Sequence, residues 1–168
     1  SFGLESNPGF KLTPGLIRRV IYGMMYGDII VNVANQVRPY EVKKGSTDKL
    51  VDRWTRKLIR LFVRGKGMSR KQMRLYFKKI CEDFAKIEVA GAPKVSVGGV
   101  GEIYVKFSPL GNNNLEEFLL SEGAEPVVPG LVDFVIFKIY NRMADVDLYG
   151  GKWIKKKICG VLMKYIEA

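Results

Sequence analysis

The sequence predicts a helix-rich α/β fold, with a helical region over residues 1–91 and a strand–helix–strand segment plus a C-terminal helix over residues 92–168. Apolar residues recur at helical spacing through the first region, which is the pattern of amphipathic helices. After position 91 the pattern changes to short, β-branched, glycine-bounded runs at 94–100 and 125–128, with a helical stretch between them. Strands joined by a helix pair in parallel through a right-handed crossover, so we expect a small parallel sheet.

A sheet of only two strands would be unusually small. Open parallel sheets are normally covered on both faces and contain more strands. We therefore expect the sheet to be completed by chain outside these 168 residues, by a second copy, or by strands that the pattern does not reveal.

The first predicted helix runs from Thr13-Pro14 to about Val37. Threonine can cap a helix and proline fits its first turn, whereas Pro39 ends it because the residue before a proline disfavours helical geometry. The stretch is apolar nearly all round, so the helix is predicted to be central or covered. Residues 1–12 contain Gly, Asn and Pro without a period and are predicted to form an extended lead-in.

Two further helices are predicted to form a hairpin with apolar inner faces and basic outer faces. One begins at Ser46-Thr47 and ends at Gly65, and the other begins at Ser69. The 37 residues from Lys43 to Lys79 hold 14 lysines and arginines against two acidic residues, whereas the rest of the chain holds 14 against 15. The net charge of +11 is therefore a property of this hairpin.

The C-terminal third is predicted to be mostly helical. A helix is expected over 131–143, a polar loop over 145–151, and an amphipathic helix over 152–166. The apolar face of that last helix carries Ile154, Ile158, Leu162 and Tyr165.

The composition excludes several kinds of chemistry. The chain has no histidine, which removes Ser-His-Asp and Cys-His catalysis and the usual zinc sites. Cys81 and Cys159 lie in apolar helical patterns and are predicted to be core residues of a protein from a reducing compartment. Neither a signal peptide nor a membrane span is expected, since the most apolar stretch carries charged and amide side chains.

The first candidate site is the glycine-rich end of the first predicted strand, with Gly99, Gly101 and Glu102. Ligands of open α/β sheets bind outside the carboxyl ends of strands, and glycines there let a ligand approach the backbone. A small nucleotide or CoA binder is one interpretation, although position 104 is Tyr and the dinucleotide pattern is incomplete. Close packing of backbones is the other.

The second candidate site is the run Asn112, Asn113 and Asn114 ahead of a predicted helix. The free N–H groups of a helix start attract anions, and asparagine side chains can add donors. Ordinary capping needs a single asparagine, so the run suggests a binding role beside the capping role.

The third candidate site is the basic face of the hairpin, represented by Arg53, Arg56, Arg60, Lys71 and Arg74. Phosphates or an acidic protein face are the partners that such a surface suits, although a solvated helical surface is the commoner explanation of a charge run. The aromatic residues of this segment fall on the apolar faces, where they cannot stack on bases. Nucleic acid is therefore the less favoured partner.

Two stretches of the chain carry a resemblance to a known family. The first is Arg38-Pro39-Tyr40-Glu41 followed by Gly45 and Asp48, and the second runs through Val100-Gly101-Glu102-Ile103-Tyr104-Val105, Asn112-Asn113-Asn114-Leu115 and Glu122-Gly123-Ala124-Glu125 to Val127-Val128-Pro129. In order and spacing they resemble the 2-hydroxyacyl-CoA dehydratase/activase-like proteins of anaerobic bacteria. The resemblance covers most of residues 13–141.

The resemblance implies a Rossmann-like α/β domain, here an internal piece of a much longer cytoplasmic protein. Relatives couple ATP hydrolysis by an actin-like activator to electron transfer through cysteine-bound iron–sulfur clusters, with a CoA thioester as acceptor. By this resemblance Glu102 and the Asn112–Asn114 run line a cleft that faces cluster or substrate. Arg38 and Glu41 are expected to lock the helix junction through an internal ion pair.

The chain departs from the family pattern where the chemistry resides. Its two cysteines do not match cluster positions, and the activator's nucleotide motifs are absent. We therefore expect a non-catalytic domain without a cofactor of its own, in a parent protein that holds an iron–sulfur cluster. Its partners would be the rest of the parent chain, the actin-like ATPase activator and a CoA thioester; a basic module that binds nucleic acid or another anionic partner is the alternative.

Overall fold

The computed structural model describes residues 13–150 and 153–167, so the lead-in predicted for 1–12 lies outside the described residues. Within those ranges the residues form two compact units: 13–98 with 116–127, and 99–115 with the described residues from 128 onward. The elements, in chain order, are α1 (Pro14–Val37), α2 (Ser46–Val63), α3 (Arg70–Phe84), β1 (Ser96–Gly98), α4 (Ile103–Phe107), α5 (Pro109–Asn112), α6 (Leu115–Ser121), β2 (Glu125–Val127), α7 (Leu131–Tyr149) and α8 (Trp153–Glu167).

The bounds predicted for α1 are confirmed. The Thr13 hydroxyl accepts a hydrogen bond of 3.2 Å from the Leu16 N–H, and Pro14 occupies the first helical position. The helix ends at Val37, where a 3₁₀ turn of three residues, Arg38–Tyr40, takes over. Because Pro39 has no N–H to donate, the α-helical pattern cannot continue through it.

The two helices of the basic hairpin also form as predicted. In α2, Leu50, Trp54 and Leu58 recur every fourth residue and are buried, which places them on one face. In α3, the Ser69 hydroxyl accepts from the Gln72 N–H at 3.3 Å, and Ile80 is fully buried. Both helices pack on α1, so the three share one core.

Tyr26 lies at the centre of this core. Its ring makes edge contacts with Phe62 of α2 and with Tyr76 and Phe77 of α3, at centroid distances of 5.8, 6.4 and 5.3 Å. Its hydroxyl donates a buried hydrogen bond of 2.9 Å to the carbonyl of Gly67, between α2 and α3. Burial raises the pKa of the Tyr26 hydroxyl far above its ordinary value, so the group stays a donor.

The cysteine prediction is wrong for Cys81, which is exposed, while Cys159 is half-buried. The buried stripe of α3 runs through Met73, Phe77, Ile80 and Phe84. Cys81 follows Ile80 by one residue, which turns it about 100° around the helix axis and out of that stripe.

The expected Rossmann-like domain is not formed, and the fold-class prediction is wrong. β1 and β2 pair in parallel, with Val97 opposite Pro126, but each strand has three residues. No other strand occurs in the described ranges, only an isolated antiparallel bridge between Glu41 and Val89. The described residues are therefore mainly helical, with one short parallel pair of strands.

The β-branched residues that predicted the strand over 94–100 explain this error. Val95 and Val100 are 74% and 89% exposed, so they flank β1 without packing in a core. Pro126 of β2 has no N–H to give to a ladder, which keeps the pair short. Alternation and branching indicated strand propensity, but burial on both faces was needed for the larger sheet.

The second unit also contains more helix than the pattern indicated. The loop predicted over 101–111 contains α4 and α5, and α7 continues to Tyr149 through the loop predicted from position 145. Gly150, with φ of +76°, ends α7. In α8, Ile154 and Ile158 are exposed, while the side chains of Leu162 and Tyr165 lie outside the described residues.

Across the described residues, the structure has no helix with both the length and the apolar character that a membrane crossing requires.

We predict that Tyr26→Phe lowers the free energy of unfolding by about 1–2 kcal/mol, because the buried Gly67 carbonyl loses its donor while the ring contacts remain. Denaturant unfolding measures this change. The same substitution at Tyr149, which is 84% exposed, serves as control and should change stability by less than about 0.5 kcal/mol. Equal effects at both positions would contradict the central role of the Tyr26 hydroxyl.

Candidate docking surface

A stripe of cations runs along α2, formed by Lys49, Arg53, Arg56 and Arg60. All four side chains are exposed. Their spacing of four, three and four residues stacks them on one side of the helix, over an axial length of about 16 Å. We call this set the α2 stripe; it lies roughly 130° around the axis from the buried Leu50–Trp54–Leu58 face.

The α2 stripe borders two open grooves that share Lys49 and Arg53. The larger, of about 540 Å³, extends from the start of α2 to the segment after α3, where Asp83, Lys86 and Glu88 line it. The smaller, of about 350 Å³, lies along α2 and adds Arg56 and Arg60. The grooves are therefore continuous along the stripe and carry mainly positive charge.

Most of the α2 stripe lacks an acidic partner. Arg56 and Asp52 approach to 3.5 Å, but both side chains are more than 70% exposed, so water screens the pair. Within the described part of the chain, Lys49, Arg53 and Arg60 form no ion pair. Three cations on one helical face thus leave an uncompensated positive potential that attracts anions.

Of the two acidic residues that line the larger groove, Asp83 and Glu88, Asp83 is already engaged. Asp83 accepts a hydrogen bond of 2.9 Å from Lys86. That hydrogen bond and the charges of Lys86 and Arg53 hold the pKa of Asp83 below its ordinary value. Asp83 therefore stays ionised and neutralises Lys86, so the free positive charge lies towards α2.

Lys57 belongs to the core side of α2. Its ammonium lies 4.1 Å from the centroid of the Trp54 ring and 5.9 Å from that of Tyr76. These cation–π contacts cover the buried aromatic residues with an aliphatic stem and a charged head.

The five residues predicted as one docking surface are divided between two helices. Arg53, Arg56 and Arg60 lie in the α2 stripe, but Lys71 and Arg74 of α3 line neither groove. Arg74 precedes Asp83 by nine residues, which places it about 180° around α3 from the groove. The five cations were grouped by charge in the sequence, but they do not lie on one surface.

The aromatic residues of the hairpin are packed inward, as predicted. Trp54 and Phe84 are 2% and 1% exposed, and Tyr76 and Phe77 are half-buried against Tyr26. None of these four rings is available as a platform for a nucleic-acid base.

The start of α2, where an external anion would find free N–H groups, is occupied by Glu41. This carboxylate is 6% exposed and accepts from the N–H groups of Gly45 and Thr47, at 2.6 and 2.7 Å. Burial alone would raise the pKa of Glu41, but the Thr47 and Gly45 hydrogen bonds and the Lys44 charge outweigh it and lower the pKa. Glu41 is therefore an internal anion bound at a helix N-terminus.

The expected ion pair between Arg38 and Glu41 is not formed. Arg38 instead lies 2.8 Å from Asp48 in the first turn of α2, and it donates to the Asn35 side chain at 3.1 Å. Glu41 forms an isolated antiparallel bridge to Val89, and its carboxylate accepts from the N–H groups at the start of α2.

Hydrogen bonds extend this junction to distant parts of the first unit. Buried Asn35 donates to Glu116 of α6 at 2.8 Å. Tyr40 donates to Glu125 of β2 at 2.8 Å and accepts from the Lys94 N–H at 3.0 Å. Sequence reasoning missed Asn35, Tyr40 and Glu125, because no local pattern signals partners 81 and 85 residues away.

In the second unit, Glu102 has a local structural role. Its carboxylate caps α4 by accepting from the Val105 N–H at 3.0 Å. Gly101 is exposed, and a methyl group added there would make an ordinary contact of 3.4 Å with the Val105 side chain, so packing does not require a glycine at this position. Gly99 is half-buried, and a ligand-binding role for Gly99, Gly101 or Glu102 stays a prediction.

The asparagine run also has structural roles. Asn112 accepts from the Leu115 N–H and donates to the Lys106 carbonyl, both at 3.3 Å. Asn113 and Asn114 have φ of +53°, a left-handed conformation that asparagine tolerates better than most residues. The excess of asparagines is thus explained by backbone geometry, and a ligand role for them stays a prediction.

Comparisons with protein-family models, with curated proteins and with solved structures found no match for the chain. The described residues also contain no group of three or more side chains able to hold a metal ion. The α2 stripe and its grooves are therefore the candidate site on which a function can be argued.

We predict that Glu41→Gln lowers the free energy of unfolding by about 2 kcal/mol at pH 7, because a neutral amide replaces a carboxylate that accepts hydrogen bonds from the buried Thr47 N–H and the part-buried Gly45 N–H. Since folding lowers the pKa of Glu41, its contribution is present above the ordinary value of 4.5 and is lost as pH falls through the lower folded value. The difference between wild type and variant should therefore shrink between pH 5 and about pH 3.

Unfolding curves at several pH values measure this effect, and Glu117→Gln, at an exposed glutamate, is the matched control. A difference that stays constant from pH 7 to about pH 3 would show that the Glu41 charge contributes nothing.

Proposed function

We propose that the chain is a non-catalytic docking module that binds an acidic protein surface through the α2 stripe. The observation that carries the proposal is the row of Lys49, Arg53 and Arg60, which lie on one helical face and form no ion pair among the described residues. A surface of this kind attracts a complementary negative face over the range of a Debye length and orients it during encounter.

The dimensions of the α2 stripe suit a helical partner. Its cations repeat every three or four residues, which is the spacing of carboxylates along one side of an acidic helix. The grooves beside the stripe are open and elongated, with Leu50 and Ile87 adding apolar area in the larger one. A helix laid along the stripe would therefore meet both charge and apolar contacts.

The resemblance suggests where such a module belongs. In a 2-hydroxyacyl-CoA dehydratase/activase-like protein, the acidic partner would be the actin-like activator or another part of the parent chain. The Arg38–Glu41 motif supports this proposal indirectly, because three of its side chains fix the junction that orients α2. The cytoplasmic location and the CoA thioester of the parent system belong to the same proposal.

Nucleic acid is the second candidate partner, favoured by the same row of cations and by the net charge of +11. It would be recognised through phosphates only at this surface, since the hairpin's aromatic rings are packed inward.

We predict that Arg53→Glu/Arg60→Glu weakens binding of a helical peptide with glutamates at positions i, i+4, i+7 and i+11 by about tenfold or more, because both substitutions reverse unpaired charges of the α2 stripe. Fluorescence anisotropy with the labelled peptide measures the affinity. Binding by the wild type should weaken as salt is raised.

The double variant Lys71→Glu/Arg74→Glu is the matched control, since it changes the net charge equally on a face of α3 away from the grooves. It should weaken binding less than about threefold. Equal losses in both variants would reduce the effect to overall charge and contradict the docking proposal. A single-stranded DNA of equal charge that binds more tightly than the peptide, with the same dependence on Arg53 and Arg60, would favour nucleic acid.

We further predict that anaerobic reconstitution of the purified chain with iron and sulfide gives no bound cluster. Clusters of this kind need about four thiolates, and the chain has two, which lie on α3 in one unit and on α8 in the other. Iron and sulfide analysis after desalting measures the outcome. Stoichiometric iron and sulfide that disappear in Cys81→Ser/Cys159→Ser would contradict a non-catalytic module.

A further inference from the structure

The helical hairpin of the second unit carries apolar side chains on more than its inner face. In α7 the less exposed apolar residues recur at helical spacing as Val132, Val135, Ile136, Ile139 and Met143; Ile139 is buried and the others are half-buried. A second apolar stripe, Phe137, Tyr140 and Leu148, is exposed and lies roughly 125° around the helix axis.

Helix α8 also carries apolar residues on two sides. Its inner side includes buried Met163 and half-buried Cys159. Ile154, Ile158 and Val161 lie on the opposite side, between 56% and 65% exposed. Their spacing of four and three residues is that of the seam between packed helices. Two-sided apolar helices of this kind normally pack against a partner on each side.

We propose that these outer stripes form a homodimer interface, in which α7 of one copy packs on α8 of a second copy and the reverse contact forms by symmetry. The product is a bundle of four helices. A closed twofold contact of this type uses the same surface of both copies.

The exposed area is sufficient for such a dimer. Phe137 and Tyr140 are each more than half exposed, as are the aliphatic residues of the two stripes, Leu148, Ile154, Ile158 and Val161. At about 150–250 Å² per aromatic side chain, the two aromatic residues supply roughly 250 Å², and the four aliphatic residues add a few hundred more. A homodimer interface of about 800 Å² on each partner is about 65% apolar, which is roughly 520 Å², so the outer stripes of one hairpin suffice.

The charges of the two helices favour contact between unlike helices. α7 carries three acidic residues against two basic ones, whereas α8 carries four lysines against one glutamate. Packing α8 against α8 of the second copy would bring like charges together, and packing it on α7 brings opposite charges together. A second copy thus offers α8 both an apolar stripe and a complementary charge.

Analytical ultracentrifugation of the full 168-residue chain over a concentration series tests the proposal. We expect a monomer–dimer equilibrium whose dissociation constant rises about 100-fold in Ile158→Glu, because each of two equivalent contacts weakens about tenfold. Tyr140→Glu should have a similar effect from the α7 side. Ile158→Ala, which is milder for folding, should raise the constant about tenfold.

Ile59→Glu is the matched control, since Ile59 of α2 is 57% exposed and lies in the other unit. It should leave the dissociation constant unchanged, and circular dichroism should show the same helix content in all variants. A chain that stays monomeric at about 100 µM overturns the proposal, as does a dimer that tolerates both Ile158→Glu and Tyr140→Glu. A dimer sensitive to Ile158→Glu alone overturns the pairing of α7 with α8.

Discussion

A buried carboxylate at the start of α2 is the constraint on which the first unit depends. Glu41 has two N–H donors from the same helix, and these donors outweigh the cost of burying its charge. The cap fixes where α2 begins and how the helix leaves the 3₁₀ turn. Arg38 and Tyr40, on the same short motif, connect that turn to α2 and to β2. The motif is thus a structural junction, and a change of geometry there would rotate the face that α2 presents to solvent.

The orientation of α2 places its apolar face in the core and its cationic face in solvent. Trp54 and its neighbours enter the core around Tyr26, so the cations at intermediate positions have to lie outside. Paired cations contribute little to an interaction, and three of the α2 stripe are unpaired. The charge excess that the composition places in residues 43–79 is therefore divided between faces, and the part on α2 lies beside the two grooves. Lys71 and Arg74 of α3 carry the same charge but line neither of these grooves.

Local patterns predicted the helical part of the fold and the parallel pairing of β1 with β2, but the Rossmann-like fold does not form. Helix-capping residues such as Thr13-Pro14 and Ser69 act within a few residues of the chain. The helices that begin at these residues form as expected. The Rossmann-like sheet depended on burial of the valines around β1, and these valines are exposed. The candidate site was predicted in part. The helix that carries it and its positive charge were evident from the sequence, but the set of cations that share one surface was not. Arg38 pairs with Asp48 because of the turn between them. A charge pattern alone cannot show which acidic residue Arg38 pairs with.

The sequence by itself determined the three N-terminal helices, the basic character of the hairpin and the inward packing of its aromatic residues, because these follow from periodicities within single helices. Only the tertiary structure decided which cations share a surface, which acid caps α2, and that the asparagine run serves backbone geometry. These outcomes depend on contacts between residues far apart in the chain, such as Asn35 with Glu116. The free energy of such a contact depends on burial and geometry, and a local sequence pattern does not determine either of them.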